Sequence, residues 1–154
     1  IANVENYCTI QRFRFGEKIS FQVENLANSD ADVLKAKIPK LTLQPIVENA
    51  VFHGLEPKLG NGLVSIKLQA TPERLLITVS DNGVGMEDDH VHQLNDKLRG
   101  ASLEYVRENK QKGGIALLNV NNRIKLLFGD EYGVYLYSKA GVGTDVDLTL
   151  PLIM

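Results

Sequence analysis

Apolar and polar positions alternate most regularly in two parts of the chain. Val64, Ile66 and Leu68 recur with period two, as do Leu75, Ile77 and Val79, with Thr71-Pro72-Glu73-Arg74 between the two runs. Successive strand side chains point to opposite faces, so this pattern predicts a hairpin with one buried face. Val134 to Lys139 and Thr144 to Leu150 predict a second hairpin, turning at Ala140-Gly141-Val142-Gly143. An earlier strand is predicted where Ile19, Phe21 and Val23 interleave with Ser20, Gln22 and Glu24.

Elsewhere the period is helical. Ile46, Val47, Ala50 and Val51 form one stripe, with Thr42 placed to cap, Pro45 in the first turn and Gly54 as a left-handed terminator. Glu48, Asn49, Phe52 and His53 then fall on other faces, with Asn49 and His53 one turn apart. After Gly113-Gly114, the residues Leu117, Val120, Ile124, Leu127 and Phe128 predict an amphipathic helix closed by Gly129. At the start, Ile1, Val4 and Cys8 have helical spacing and read as the tail of a longer helix. Asn25 to Lys37 reads as a loop, and 87–112 is polar with weak helical periodicity at Val91, Leu94, Leu98 and Leu103. Strand, helix, two strands, helix, two strands implies an α/β (α+β) two-layer sandwich, its helices on one face of a single sheet.

Composition narrows the class. The 154 residues, 44% hydrophobic and 23% charged, suit one globular domain and exclude a disordered chain. Lys and Arg (17) nearly balance Asp and Glu (19), which argues against gripping nucleic acid by bulk charge. No apolar run approaches the ~18 residues of a membrane helix, and no signal-peptide pattern opens the sequence. Cys8 is the lone cysteine, so no internal disulfide forms and a reducing interior is expected.

Three stretches carry candidate chemistry. In Asp81-Asn82-Gly83-Val84-Gly85, a carboxylate ends a strand and glycines let the backbone turn and approach a flat ligand. An ionised Asp only accepts hydrogen bonds, so it favours an adenine amino group over a guanine carbonyl. An ordinary Asp-Asn-Gly turn explains the same residues equally well; a dinucleotide fingerprint does not, because the third glycine and the βαβ setting are missing. Lys112-Gly113-Gly114 leads into free helical N–H groups, an anion site or a plain linker. No Gly-x-x-x-x-Gly-Lys-Ser/Thr occurs, which excludes a P-loop. Asn49 offers a neutral amide oxygen on a helix, suited to Mg²⁺, although by itself a helix Asn is usually just a surface polar residue. Glu87 to His92 reads as a charged helix start rather than a metal site, and Lys97, Arg99, Arg107, Lys110 and Lys112 as solvated charge.

Order and spacing join these fragments. Ile38 to Gly54, with Pro45-Ile46-Val47-Glu48-Asn49, closely resembles the N box of LytS/YehU (YesM-like) sensor histidine kinases. Asp81 to Gly85 resembles their D-x-G-x-G adenine box, and Gly114 to Arg123 their second glycine box, with Ala116 where a glycine often stands. Phe128 to Gly133 and Gly141-Val142-Gly143-Thr144 resemble the closing pattern, and Tyr7 to Phe15 the junction below the dimerization helices.

The resemblance implies the Bergerat ATP-binding fold, a mixed sheet backed by helices, over 18–154, with 1–17 ending the dimerization helix and linker and a lid at about 87–112. It implies ATP and Mg²⁺ as ligands. Asn49 would hold the metal, Asp81 would read the adenine amino group and Gly85 would make room for the ring. Thr144 would sit beside the adenine near Asp81, Gly113 and Gly114 with the helix start behind them would line the phosphates, and Gly83, Met86 and Leu117 belong to the same nucleotide-binding set. Glu48, Asn49 and His53 are the candidates for a part in phosphoryl transfer. The family's phosphoacceptor histidine lies upstream, and His53, His90 and His92 are not in that context, so autophosphorylation of this chain is not expected. The expected activity is a protein histidine kinase's: the γ-phosphoryl passes to a histidine on the parent's dimerization domain, then to a response regulator. The implied parent is a membrane-anchored bacterial homodimer with this domain in the cytoplasm, and nucleic acid is not an expected partner. A non-catalytic ATP-binding signalling module is the alternative. A GHKL-type ATPase ranks last, because the acid expected one turn before Asn49 is replaced by Pro45.

Overall fold

Both predicted hairpins form in the computed structural model, which describes residues 2–3, 19–25, 36–39, 42–50, 62–99 and 115–153. Strands β1 (Ala2–Asn3), β2 (Ile19–Asn25) and β3 (Lys37–Ile38) precede helix α1 (Leu43–Asn49). Then come β4 (Gly62–Ala70), β5 (Arg74–Asp81), helices α2 (Asp88–Arg99) and α3 (Ile115–Phe128), and strands β6 (Gly133–Lys139) and β7 (Gly143–Pro151). Five strands make one mixed sheet in the order β2-β4-β5-β7-β6; β2 runs parallel to β4 and every other pairing is antiparallel.

The register sorts the buried face into rows. Leu68, Ile77, Leu148 and Val134 face one another across β4, β5, β7 and β6, and all are buried. The next row, Ile66, Val79, Val146 and Leu136, is also apolar and buried. Leu43, Ile46 and Val47 of α1, Leu94 and Leu98 of α2, and Leu117, Leu118, Val120 and Ile124 of α3 complete the core. Helices α2 and α3 pack on β6, and α1 packs on α3. The opposite face carries the polar half of the alternation, including Lys67, Thr78 and Asp147, where the Thr78 hydroxyl donates to Asp147 over 2.8 Å.

Two buried asparagines close the free edge of β6. The Asn95 side chain (4% exposed) donates to the Leu136 carbonyl over 2.8 Å and accepts the Leu136 N–H over 3.0 Å, replacing a neighbouring strand. Asn121 (0% exposed) accepts the Val134 N–H over 2.9 Å and donates to the Leu98 carbonyl over 2.7 Å, tying α2, α3 and β6 together. Backbone groups at a sheet edge need such partners once helices exclude water.

Several expectations change. Ala2–Asn3 is a strand paired with Lys37–Ile38, not helix; a short antiparallel pairing satisfies this backbone. Cys8 and the rest of that segment lie outside the described residues. The loop predicted over 25–37 has strand residues at both ends, Asn25 and Lys37, with 26–35 outside the described residues. Thr42 does not cap α1: its backbone is already helical (φ −90°, ψ −55°), and its hydroxyl donates back to the Pro39 carbonyl over 2.7 Å. Gly54 and Val51 lie outside the described residues. Leu127 is exposed beside Leu126 (82% exposed), because the stripe of α3 that faces the core runs from Ile124 to Phe128, which packs against it, and passes Leu127 by. Gly129, at φ +113°, ends α3 as expected. The first half of the expected lid, 88–99, is a packed helix with Leu94, Asn95 and Leu98 buried; 100–112 lies outside the described residues.

Candidate functional site

The third row across the sheet departs from the apolar pattern. Val64 is followed by Asp81, Thr144 and Ser138 on β5, β7 and β6, in direct register and on the helix-facing side. Three polar side chains thus stand where two preceding rows place only aliphatic ones. Burying such groups has a cost unless they find partners, so this row does not simply extend the apolar core.

The backbone around this row is pinned from several directions. The Asp81 carboxylate accepts the Gly83 N–H over 2.9 Å, the bond of an ordinary Asx turn, so that reading of the sequence is present in the structure as well. Asn82 fastens the turn to β4: its side-chain oxygen accepts the Leu63 N–H over 2.8 Å, and its N–H donates to the Leu63 carbonyl over 3.2 Å. The Val84 carbonyl accepts the Gly141 N–H over 2.7 Å, and the Met86 N–H donates to the Ser138 hydroxyl over 2.8 Å. The turn after β5 and the β6–β7 turn are therefore bound to each other.

Two glycines make this close approach possible. Gly85 has φ +69°, and a Cβ there would fall on the Lys139 carbonyl. Gly143 has φ +148°, and its Cβ would fall on the Asp81 carbonyl. Packing of one turn on the other requires glycine at both places, independently of any ligand.

The structure brings Asp81, Gly83, Gly85, Met86 and Thr144 to this corner. Met86 packs against the core, and Thr144 is 9% exposed. Asn49 is the last residue of α1 and half-buried; Glu48 beside it accepts a hydrogen bond from the Gln44 amide over 3.2 Å. Leu117 is buried in the core, which leaves only its backbone, at the start of α3, to meet a ligand. Gly113, Gly114 and His53 lie outside the described residues. Sequence reasoning missed Ser138 and Asn82. The signal for Ser138 was its strand register, two residues beyond the buried Leu136 and opposite Thr144.

A groove of about 350 Å³ runs between α1 and α3, lined by Pro45, Ala116, Asn119, Val120 and Arg123. It includes none of the acid, threonine or serine of the third row. Ala116, the departure from the glycine box, lines it. Among the described residues no three His, Cys, Asp or Glu side chains converge as a metal site. Asp88 and Asp89 occupy the first turn of α2, the charged helix start expected there. No helix of the described residues is long and apolar enough to cross a membrane.

Comparison with known proteins follows the same lines. The chain is 36% identical over 148 residues to the sensor histidine kinase YesM of Bacillus subtilis, covering 96% of the chain and 22% of that protein. It is 33% identical to the sensor histidine kinase YpdA of Escherichia coli, over 96% of the chain and 23% of that protein. Against the sensor protein LytS of Oceanobacillus iheyensis it is 31% identical, over 98% of the chain and 24% of that protein. The chain thus spans less than a quarter of the length of these relatives. Among solved structures, the catalytic domain of histidine kinase ThkA superposes with a TM-score of 0.64 at 15% identity, covering 99% of the chain and 95% of that domain. The histidine kinase domain of the blue-light activated kinase of Erythrobacter litoralis EL346 gives 0.59 at 18% identity, over 99% of the chain and 62% of that structure. At such identities the likeness is one of fold, the α/β sandwich that the strand order implied. Residues 36–154 match the model of the histidine kinase-, DNA gyrase B- and HSP90-like ATPases, and the chain belongs to that family.

Proposed function

We propose that this domain binds Mg·ATP and serves as the catalytic domain of a two-component sensor histidine kinase. The observation that carries the reading is the polar row Asp81–Thr144–Ser138 closing an otherwise aliphatic sheet face. Asp81 is held by the Gly83 N–H at a strand end and only accepts hydrogen bonds. It suits the exocyclic amino group of adenine, with Thr144 and the backbone of Gly83, Gly85 and Met86 forming the wall beside the base.

Mg²⁺ fits the donor set at the end of α1, where Asn49 offers one half-buried amide oxygen and solvent the remaining ligands. When bound there, the ion would neutralise phosphate charge. The start of α3, preceded by Gly113 and Gly114, would supply N–H donors to the phosphates. Phosphoryl transfer demands alignment and charge stabilisation more than covalent work. Glu48 and His53 are the candidate groups beside the transferred phosphoryl.

In the full-length protein, the γ-phosphoryl would pass to a histidine on the dimerization domain and then to a response regulator. Residues 1–17 would join the two domains. The parent is proposed as a membrane-anchored bacterial homodimer carrying this domain in the cytoplasm. The family and the kinase names of the relatives support this reading. Mg²⁺-dependent binding of an ATP analogue, competed by ADP and not by GTP, is the expected result in calorimetry. Equal competition by GTP overturns the adenine assignment. Phosphohistidine in a chain extended through the dimerization segment is the expected sign of catalysis; ATP binding without it would make the domain a signalling module.

A further inference from the structure

The Ser138 hydroxyl has three neighbours and one proton. It accepts the Met86 N–H over 2.8 Å, it donates to the Gly143 carbonyl over 2.9 Å, and it lies 2.8 Å from the Thr144 hydroxyl. A carbonyl oxygen only accepts, so the Ser138 proton is committed to Gly143. The proton between the two hydroxyls must therefore come from Thr144. Thr144, directly opposite both Ser138 and Asp81 in the register, is left with lone pairs for any ligand.

We infer that Ser138 is a specificity-determining positioning residue: by taking the Thr144 proton, it makes Thr144 an acceptor like Asp81, and so sets the purine preference of the site. This inference rests on the adenine reading proposed above. An exocyclic amino group carries two N–H bonds, and two acceptors on adjacent strands match it. A carbonyl at the same ring position would meet lone pairs on both sides. Ser138 acts through Thr144 and through the Met86 backbone, without touching the base.

The test compares ATP with inosine triphosphate, which carries a carbonyl in place of that amino group. Calorimetric titration of the 154-residue chain with each nucleotide and Mg²⁺ gives the preference ratio. Ser138→Ala frees the Thr144 proton to turn toward the ligand. The ATP preference is expected to fall by about 3- to 10-fold, the range of one hydrogen bond. Ser138→Thr, which keeps a hydroxyl, is expected to restore it. Thr144→Val should lower the ratio too, and adding Ser138→Ala to it should lower it no further. If the Ala variant loses its cooperative unfolding transition, Ser138→Cys, which keeps the volume and bonds weakly, carries the same expectation. A variant that weakens both nucleotides equally, or keeps the parental ratio, overturns the inference and leaves the adenine reading intact. A parent chain with no preference overturns both.

Discussion

Replacing Asp81 with Asn changes one atom of the side chain and separates recognition from folding. The Asp81 oxygen that accepts the Gly83 N–H over 2.9 Å has an equivalent in Asn, so the turn keeps its anchor. The flanking bonds from Asn82 to Leu63 and from Gly141 to Val84 do not involve this side chain. Stability should therefore shift by no more than about 1 kcal/mol. Binding differs, because the charge is lost and an NH₂ donor replaces one acceptor. A hydrogen bond to a charged group is worth about 1.5–3 kcal/mol, and an unpaired buried donor costs about 1–3 kcal/mol more. A total near 3 kcal/mol or above corresponds to at least about 100-fold weaker ATP binding. Calorimetry with an ATP analogue and thermal unfolding of the same sample check both halves. Parental affinity in Asp81→Asn would refute the reasoning; so would lost affinity that coincides with a lost unfolding transition.

Three further predictions address other parts of the account. Asn95→Ala leaves the Leu136 N–H and carbonyl buried without partners and should cost about 2–4 kcal/mol in urea unfolding, whereas exposed Asn119→Ala on α3 should stay within about 0.5 kcal/mol. Gly85→Ala drives a methyl into the Lys139 carbonyl and should lower the melting temperature even without nucleotide; an unchanged melt would remove the backbone reason for that glycine. Asn49→Ala should keep metal-free nucleotide binding and lose the gain that Mg²⁺ provides, as read by titration with and without the ion.

The strands of the two hairpins were legible because most of their buried residues are aliphatic and recur with period two. Asp81 was legible for the opposite reason: it breaks that alternation at a strand end beside two glycines. Helix α2 was legible only faintly, because its buried stripe is Leu94 and Leu98 with Asn95 between them, and an asparagine counts as polar in any periodicity. Asn121 hid in the same way among Asn119 and Asn122 on α3. Their function is to complete the β6 edge, which depends on a strand distant in sequence. Thr42 had the composition of a cap but lacked the extended backbone a cap requires. Ser138 looked like any strand serine until the register set it beside Thr144. Local chemistry was readable wherever the sequence neighbours decide it, and unreadable where the partner comes from another element.

The central claim is that an acceptor row at the end of the sheet reads an adenine amino group. A crystal structure of this chain with a non-hydrolysable ATP analogue and Mg²⁺ tests it most directly. The account predicts the exocyclic amino group within hydrogen-bonding distance of the Asp81 carboxylate, with Thr144 alongside and the metal on Asn49. Adenine seated elsewhere, for instance in the groove between α1 and α3, would contradict it.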